Sequence, residues 1–283
     1  MTRSVTLPGK VCFANDAPLV FIAGLNVLED SGLVFEVAAE LKHQAELQRV
    51  GLVFKASFDK ANRSRYSSPR GPGILEGLAM LAAVKSRFNL NLITDVHDVS
   101  QVSAVAEVVD ILQIPAFLVR QTDLLAAASG SGRPVLLKKM QMMAPHEMSW
   151  AVEKCKATGA KEVMVCERGT TFGYGQLVLD PLSFPMLKSL DVPVVFDVTH
   201  ALQCPGAGEG GTDGRGAFVE SLAAVGVSQG IASLFVECHP KPAQAQCDGH
   251  CALPLHRFSS LVRRMMALDA WAKAEMESVD VRP

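Results

Sequence analysis

The feature that most constrains this chain is a short apolar, β-branched run that returns eight times. The runs are Leu19–Ala23, Leu52–Phe54, Leu90–Thr94, Val109–Leu112, Val135–Leu137, Val163–Val165, Val194–Phe196 and Ile231–Val236. Runs that are apolar at consecutive positions read as strands covered on both faces, as in parallel sheets. Segments of helical length separate them. In the first, Leu33, Val37 and Leu41 share a helical face while Glu36, Glu40 and Lys42 fall elsewhere; after Pro254, Phe258, Val262 and Met265 share another. Eight such units predict an α/β chain folded as a (β/α)8 TIM barrel. Val5–Leu7 and Val11–Ala14 read as a short N-terminal β-hairpin closing its bottom. The expected organisation is one domain over residues 1–283, with the hairpin in 1–17, the barrel in 18–275 and a tail in 276–283.

The residues just past each run carry the chemistry. In order, the strand exits present Asn26; Lys55 to Ser64; Asp95 and His97; Gln113; Lys138 and Lys139; Arg168; His200; and Glu237. In a barrel these converge on the C-terminal mouth, where active sites of this fold lie. The densest exit holds Lys55, Ser57, Lys60, Asn62, Arg63 and Ser64. Arginine forks match planar oxyanions and lysine supplies compact point charge, so this segment predicts a pocket for a small, highly anionic substrate. The glycine-dense stretch Gln203 to Gly216 reads as a mobile loop, either a lid or a disordered surface segment. Asp248, after the last strand, can return to the mouth.

Charge balance narrows the partners. A formal net charge of −2 gives no general attraction to nucleic acid, so the clustered cations need a small-molecule target. No apolar stretch approaches the ~20 residues of a membrane span, and the first fifteen residues lack the apolar core of a signal peptide. Seven cysteines, an odd count without framework spacing, read as reduced thiols in a cytoplasmic protein. Cys238, His239, Cys247, His250 and Cys251 contain zinc-type ligands, but their spacing matches no standard zinc site.

Several strings then become recognisable together: KASFDKANRSR (Lys55–Arg65), RGPG (Arg70–Gly73), TDVHD (Thr94–Asp98) and IPAFLVRQTDLL (Ile114–Leu125). Lys138, Lys139 and Gln141, the segment Glu167–Tyr174, FDVTHALQC (Phe196–Cys204) and the pieces around Glu237 and Asp248 continue the series. In this order, from about residue 18 to residue 270, the chain resembles 3-deoxy-D-manno-octulosonate 8-phosphate synthases. That resemblance implies a homotetrameric barrel condensing phosphoenolpyruvate with D-arabinose 5-phosphate, for lipopolysaccharide precursors. The related 3-deoxy-arabino-heptulosonate 7-phosphate synthases use erythrose 4-phosphate. Their corresponding loop reads lysine-proline-arginine-serine or threonine, where this chain has Lys60-Ala61-Asn62-Arg63-Ser64. A barrel that binds sugar phosphates without turnover is the non-enzymatic alternative.

Carried onto this chain, the resemblance places the phosphate of phosphoenolpyruvate on Lys138 and Arg168, with Gln113 and the backbone of Ala116 nearby. Its carboxylate end falls to Lys55, Ser57 and Lys60. The sugar phosphate falls to Asn62, Arg63 and Ser64, and in this family that arginine can come from a neighbouring subunit. Asp95, His97 and Arg120 surround the reacting centre, and Gln203 and Glu237 complete the substrate-binding set. Asn26, Lys60, His200 and Asp248 are implied to orient water and relay protons. One branch of the family has cysteine in place of Asn26 and binds a divalent metal with the counterparts of His200, Glu237 and Asp248. The other has asparagine and needs none, so no cofactor and no metal are expected.

Overall fold

The computed structural model describes residues 3–208 and 211–278. Two antiparallel strands, β1 (Val5–Leu7) and β2 (Val11–Phe13), form the N-terminal hairpin. The chain continues through β3 (Val20–Val27), α1 (Ser31–Gln48), β4 (Gly51–Ser57), α2 (Ile74–Phe88), β5 (Asn91–Asp95) and α3 (Val99–Val108). Next come β6 (Ile111–Ile114), α4 (Thr122–Gly130), β7 (Val135–Lys138), α5 (Met148–Ala157) and β8 (Val163–Glu167). A two-residue ribbon, β9 (Thr170–Thr171) and β10 (Leu177–Val178), precedes α6 (Ser183–Lys188) and β11 (Val194–Asp197). The last elements are β12 (Gln203–Gly208), β13 (Gly211–Gly214), α7 (Val219–Val227), β14 (Ser233–His239) and α8 (Phe258–Ser278).

Strands β3 to β8, β11 and β14 pair in parallel, and the β11–β14 and β14–β3 ladders close them into the expected eight-stranded ring. Every barrel strand ends later than its apolar run. Ladder bonds are made by the backbone, so a strand continues after its inward side chains turn polar. Lys55, Ser57, Asp95, Gln113, Lys138, Asp197 and Glu237 therefore sit on strand ends, not in loops.

Period-two alternation sorts the strands into two apolar layers. Phe21, Ala23, Leu52, Phe54, Leu92 and their like face outward onto helices, including Val37 and Leu41 of α1 and Phe258, Val262 and Met265 of α8. Ile22, Val53, Ile93, Ile111, Leu136, Met164, Val195 and Phe235 face inward and pack with Val5, Leu7, Val11 and Phe13 of the hairpin. The hairpin thus plugs the N-terminal end of the barrel. Gly24 is required by proximity: a β-carbon there would lie 1.9 Å from the Lys55 carbonyl oxygen.

Two boundaries differ from expectation. The helix expected to end before a tail at 276 continues to Ser278, while 279–283 lie outside the described residues. The segment expected as a mobile loop pairs as β12 and β13, with a register shift between Cys204 and Gly208. Glycine-rich sequence can still form ladders because they need no side chains; Glu209 and Gly210 lie outside the described residues.

Candidate active site

Continuing inward by two from the apolar layer gives the functional layer. Val53 leads to Lys55 and Ser57, Ile93 to Asp95, Ile111 to Gln113, Leu136 to Lys138, Val195 to Asp197 and Phe235 to Glu237. These side chains are all buried, and most of them face one cavity of about 730 Å³ at the C-terminal mouth.

The cationic loop enters that cavity because its base is tied down. Lys60 N–H donates to the Arg70 carbonyl at 2.7 Å, Gly73 N–H to the Phe58 carbonyl at 3.0 Å, and Arg70 forks onto Asp59. Gly71, at φ +105° with Val27 Cγ2 only 2.6 Å from where a β-carbon would sit, cannot readily be another residue. Lys60, Asn62, Arg63 and Ser64 consequently line the cavity from their own chain. Arg63 donates to Cys247 Sγ, which joins it to the segment bearing Asp248. Asp248 adopts φ +48°, the left-handed region that aspartate tolerates better than most residues, and reaches the cavity beside His200.

Two buried ion pairs organise the floor. Lys55 Nζ donates to Glu237 Oε1 at 2.8 Å and to the Asn26 carbonyl at 3.0 Å. Lys138 donates to Asp197 Oδ2, the same oxygen that faces His200 Nδ1 at 2.7 Å; His200 N–H donates to Oδ1 at 2.9 Å. Because a carboxylate can only accept, His200 presents a protonated Nδ1 to Asp197. Its Nε2 lies 3.7 Å from Glu237 and 3.9 Å from Asp248. On the other side, Asp95 accepts from Ser57 Oγ and pairs with His97 Nε2 at 2.8 Å.

Electrostatics follow from this pairing. Burial alone would raise the Glu237 carboxyl, but His200, Lys55 and Lys60 outweigh it and hold its pKa down to about 2. Burial likewise opposes ionisation of Asp95 and Asp197, yet His97, Lys60 and Lys55 for the first, and His200 and Lys138 for the second, keep both well below the carboxylate range. Burial lowers the Lys55 ammonium more than Glu237 and Asp95 restore it. For Lys60 the balance reverses: burial pulls it down, and Glu237, Asp95 and Asp248 together push it above its ordinary value. Depressed carboxyls give stability that is present above their unfolded values and lost as pH falls through the folded ones. Melting temperature should therefore hold above about pH 5 and drop as Glu237 is titrated between its ordinary 4.5 and about 2. A melting temperature unchanged across that window would contradict the pairing.

The structure brings most of the expected residues to the cavity wall: Lys55, Lys60, the Asn62–Ser64 triplet, Asp95 and His97 from one half, and Gln113, Ala116, Lys138, Arg168, His200, Gln203 and Asp248 from the other. Asn26, Ser57 and Glu237 lie just beneath, bonded to residues of that wall. Arg120 stands apart; it is exposed, outside the cavity, and its carbonyl accepts from Lys154. It occupies the turn after Val119, which is buried, so its side chain points away. Lys139, also at a strand exit, faces outward. It is buried against the Gly169 carbonyl, Thr170 and Glu167, while Glu167 accepts from the Arg168 and Gly169 N–H groups at 2.9 and 2.7 Å. That pair shapes the loop from which Arg168 enters and bonds Gln203 at 2.6 Å.

Sequence reasoning misses Asp197 and Gln141 as site residues. Asp197 has a signal, being the next inward position after Val195; Gln141 has only its place in the Lys138–Gln141 string. Gln141 lines the cavity with a buried Oε1 that lacks a hydrogen-bond partner.

His200, Glu237 and Asp248 do not form a cation cage around Asn26. Its Nδ2 donates to Glu237 Oε2 and, at 3.1 Å, to Asp248 Oδ2, so N–H groups rather than a lone pair face both carboxylates. Among the described residues no set of three or more His, Cys, Asp or Glu side chains has metal-holding geometry. Cys238 packs in the outer core, away from Cys247 in the cavity wall.

Comparison with known proteins places this architecture. The DAHP synthetase I family matches residues 3–273. Curated relatives named 2-dehydro-3-deoxyphosphooctonate aldolase are similar nearly end to end. The one from Shewanella pealeana is 46% identical over 280 residues, covering 99% of each chain. Those from Psychromonas ingrahamii and Marinobacter nauticus are 46% and 47% identical over 274 residues, covering 97% of this chain and 98% of theirs.

Proposed function

The chain belongs to the DAHP synthetase I family, and on that premise we propose that it catalyses the 2-dehydro-3-deoxyphosphooctonate aldolase reaction. Phosphoenolpyruvate, D-arabinose 5-phosphate and water give 3-deoxy-D-manno-octulosonate 8-phosphate and phosphate, a step toward lipopolysaccharide precursors. The observation that carries this reading is the convergence of the inward polar layer and the Lys60–Ser64 loop on one cavity. Two phosphorylated reactants repel each other. At an effective dielectric near 20, unit charges ~4 Å apart interact by roughly 4 kcal/mol, so several cations around one site offset much of that repulsion.

Lys138 and Arg168 hold the transferred phosphate, with Gln113 and the Ala116 backbone alongside. Lys55 and Lys60 take the carboxylate, and Ser57 acts from below by fixing Asp95. Asn62, Arg63 and Ser64, nearer the rim, grip the sugar phosphate. Carbon 3 of the enol attacks the aldehyde carbon while water adds at carbon 2; the aldehyde oxygen gains the proton that water loses. The hemiketal phosphate then expels phosphate by carbon–oxygen cleavage, leaving the ketone. Asn26, Lys60, His200 and Asp248, with Asp95 and His97, orient the water and relay protons, help that is typically worth ~10²–10⁴-fold. We assign the acting form as a cytoplasmic homotetramer. The exposed rings of Phe117, Phe172 and Tyr174, on the loops after β6 and β8, support a neighbouring subunit covering them.

Offering arabinose 5-phosphate against erythrose 4-phosphate, with phosphate release as readout, tests the reading. Preference for the four-carbon sugar would assign the seven-carbon synthase, and no release with either would leave a binding barrel. Because Asn26 offers donors to both carboxylates, prolonged chelation should leave turnover unchanged. Loss of activity that added Mn²⁺ or Zn²⁺ restores would overturn metal independence.

A further inference from the structure

The layer directly below the polar floor is aliphatic on most strands, with Ile22, Ile93 and Leu136 among its members. Phe235 is the aromatic exception among the barrel-strand side chains of this inner cluster. Its placement relative to the floor lysines is specific. The Lys138 ammonium stands 3.5 Å from the ring centroid and the Lys55 ammonium 5.6 Å. The two lysines come from β7 and β4, on either side of β14, so they reach one ring from different directions. Each also has its own carboxylate, Asp197 for Lys138 and Glu237 for Lys55. The His200 ring lies 6.2 Å from the same ring at a tilt of 55°.

An aliphatic side chain, as on the neighbouring strands, would be apolar too but offer no negative face. Two ammonium groups sharing a buried floor repel, and each must still turn toward an arriving anion. A ring quadrupole attracts both without neutralising either, and it makes no hydrogen bond that would compete with an incoming oxyanion. A carboxylate in the same place would accept those protons itself. We infer that Phe235 is a positioning residue whose ring face holds the Lys55 and Lys138 ammoniums at the spacing needed to receive phosphoenolpyruvate. The inference rests on the proposed function for the identity of that anion.

The test replaces Phe235 site-specifically with mono-, di- and trifluorophenylalanine, which keep the shape while progressively removing the negative face. The logarithm of kcat/KM for phosphoenolpyruvate should fall in step with fluorination, by about 10-fold across the series. Phosphoenolpyruvate affinity measured by calorimetry should weaken in parallel, while melting temperature stays level. Phe235→Leu, apolar and without a π face, should match the trifluoro variant. A flat series, or a loss that tracks melting temperature instead of fluorination, reduces Phe235 to packing and overturns the inference. If the unmodified protein releases no phosphate from its two substrates, the functional reading fails instead. The calorimetric series still decides whether the ring governs anion binding.

Discussion

Replacing Lys138 with alanine should lower kcat/KM for phosphoenolpyruvate by about 10²–10³-fold, or ~3–4 kcal/mol of transition-state stabilisation. The ammonium is buried at the end of β7, paired with Asp197 and seated over Phe235, so water cannot take over its charge. Its loss also leaves Asp197 with His200 as its remaining side-chain partner in the floor, which disturbs a proposed proton-relay group. Arg168→Ala should produce a loss of similar size, since that guanidinium reaches the same cavity from β8 and is steadied by Gln203. Steady-state kinetics on variants whose melting temperature is retained give the measurement. Near-normal kcat/KM in both would remove these two residues from phosphate recognition.

Glu237→Ala should be the most damaging change to the fold among the site residues. Lys55 and Glu237 are both about 1% exposed, and each satisfies the other at 2.8 Å. Removing one partner of such a pair typically costs about 3–5 kcal/mol, because the remaining charge stays buried without its counter-charge. For a chain of this size the melting temperature should fall by on the order of 10 °C. The same change frees the Asn26 amide from one of its two carboxylates. The double variant Lys55→Met with Glu237→Leu should recover much of the lost stability, since apolar replacement of a whole buried pair is often neutral. Unfolding of Glu237→Ala at the parent temperature would show that the pair contributes no stability.

The barrel and its active end were legible because the two periodicities of a parallel sheet leave different marks. Continuous apolar runs announced the strands, and the polar residues just past each run announced the candidate functional layer. Adding the period-two alternation of strand side chains would have found Asp197 after Val195 and separated inward Lys138 from outward Lys139. Positions on loops obey no such rule. The resemblance groups Arg120 with the reacting centre, but a turn following buried Val119 directs it to solvent. The glycine-rich stretch after Gln203 looks featureless in sequence because its ladder uses only backbone groups. The Met140–Met143 turn is similar: Met143 buries itself in the core and its carbonyl accepts from Lys139 at 3.4 Å, contacts that no local pattern encodes.

The N-terminal hairpin has a kinetic consequence. With Val5, Leu7, Val11 and Phe13 stoppering the far end, the described cavity opens at the C-terminal mouth. On the proposed assignment the three-carbon guest rests deep, against Lys55 and Lys138, and the sugar sits near the threshold beside Asn62 and Ser64, which are exposed. On that assignment, traffic through this mouth should run last in, first out. The smaller guest is then expected to arrive ahead of the larger and to be held until the larger has left.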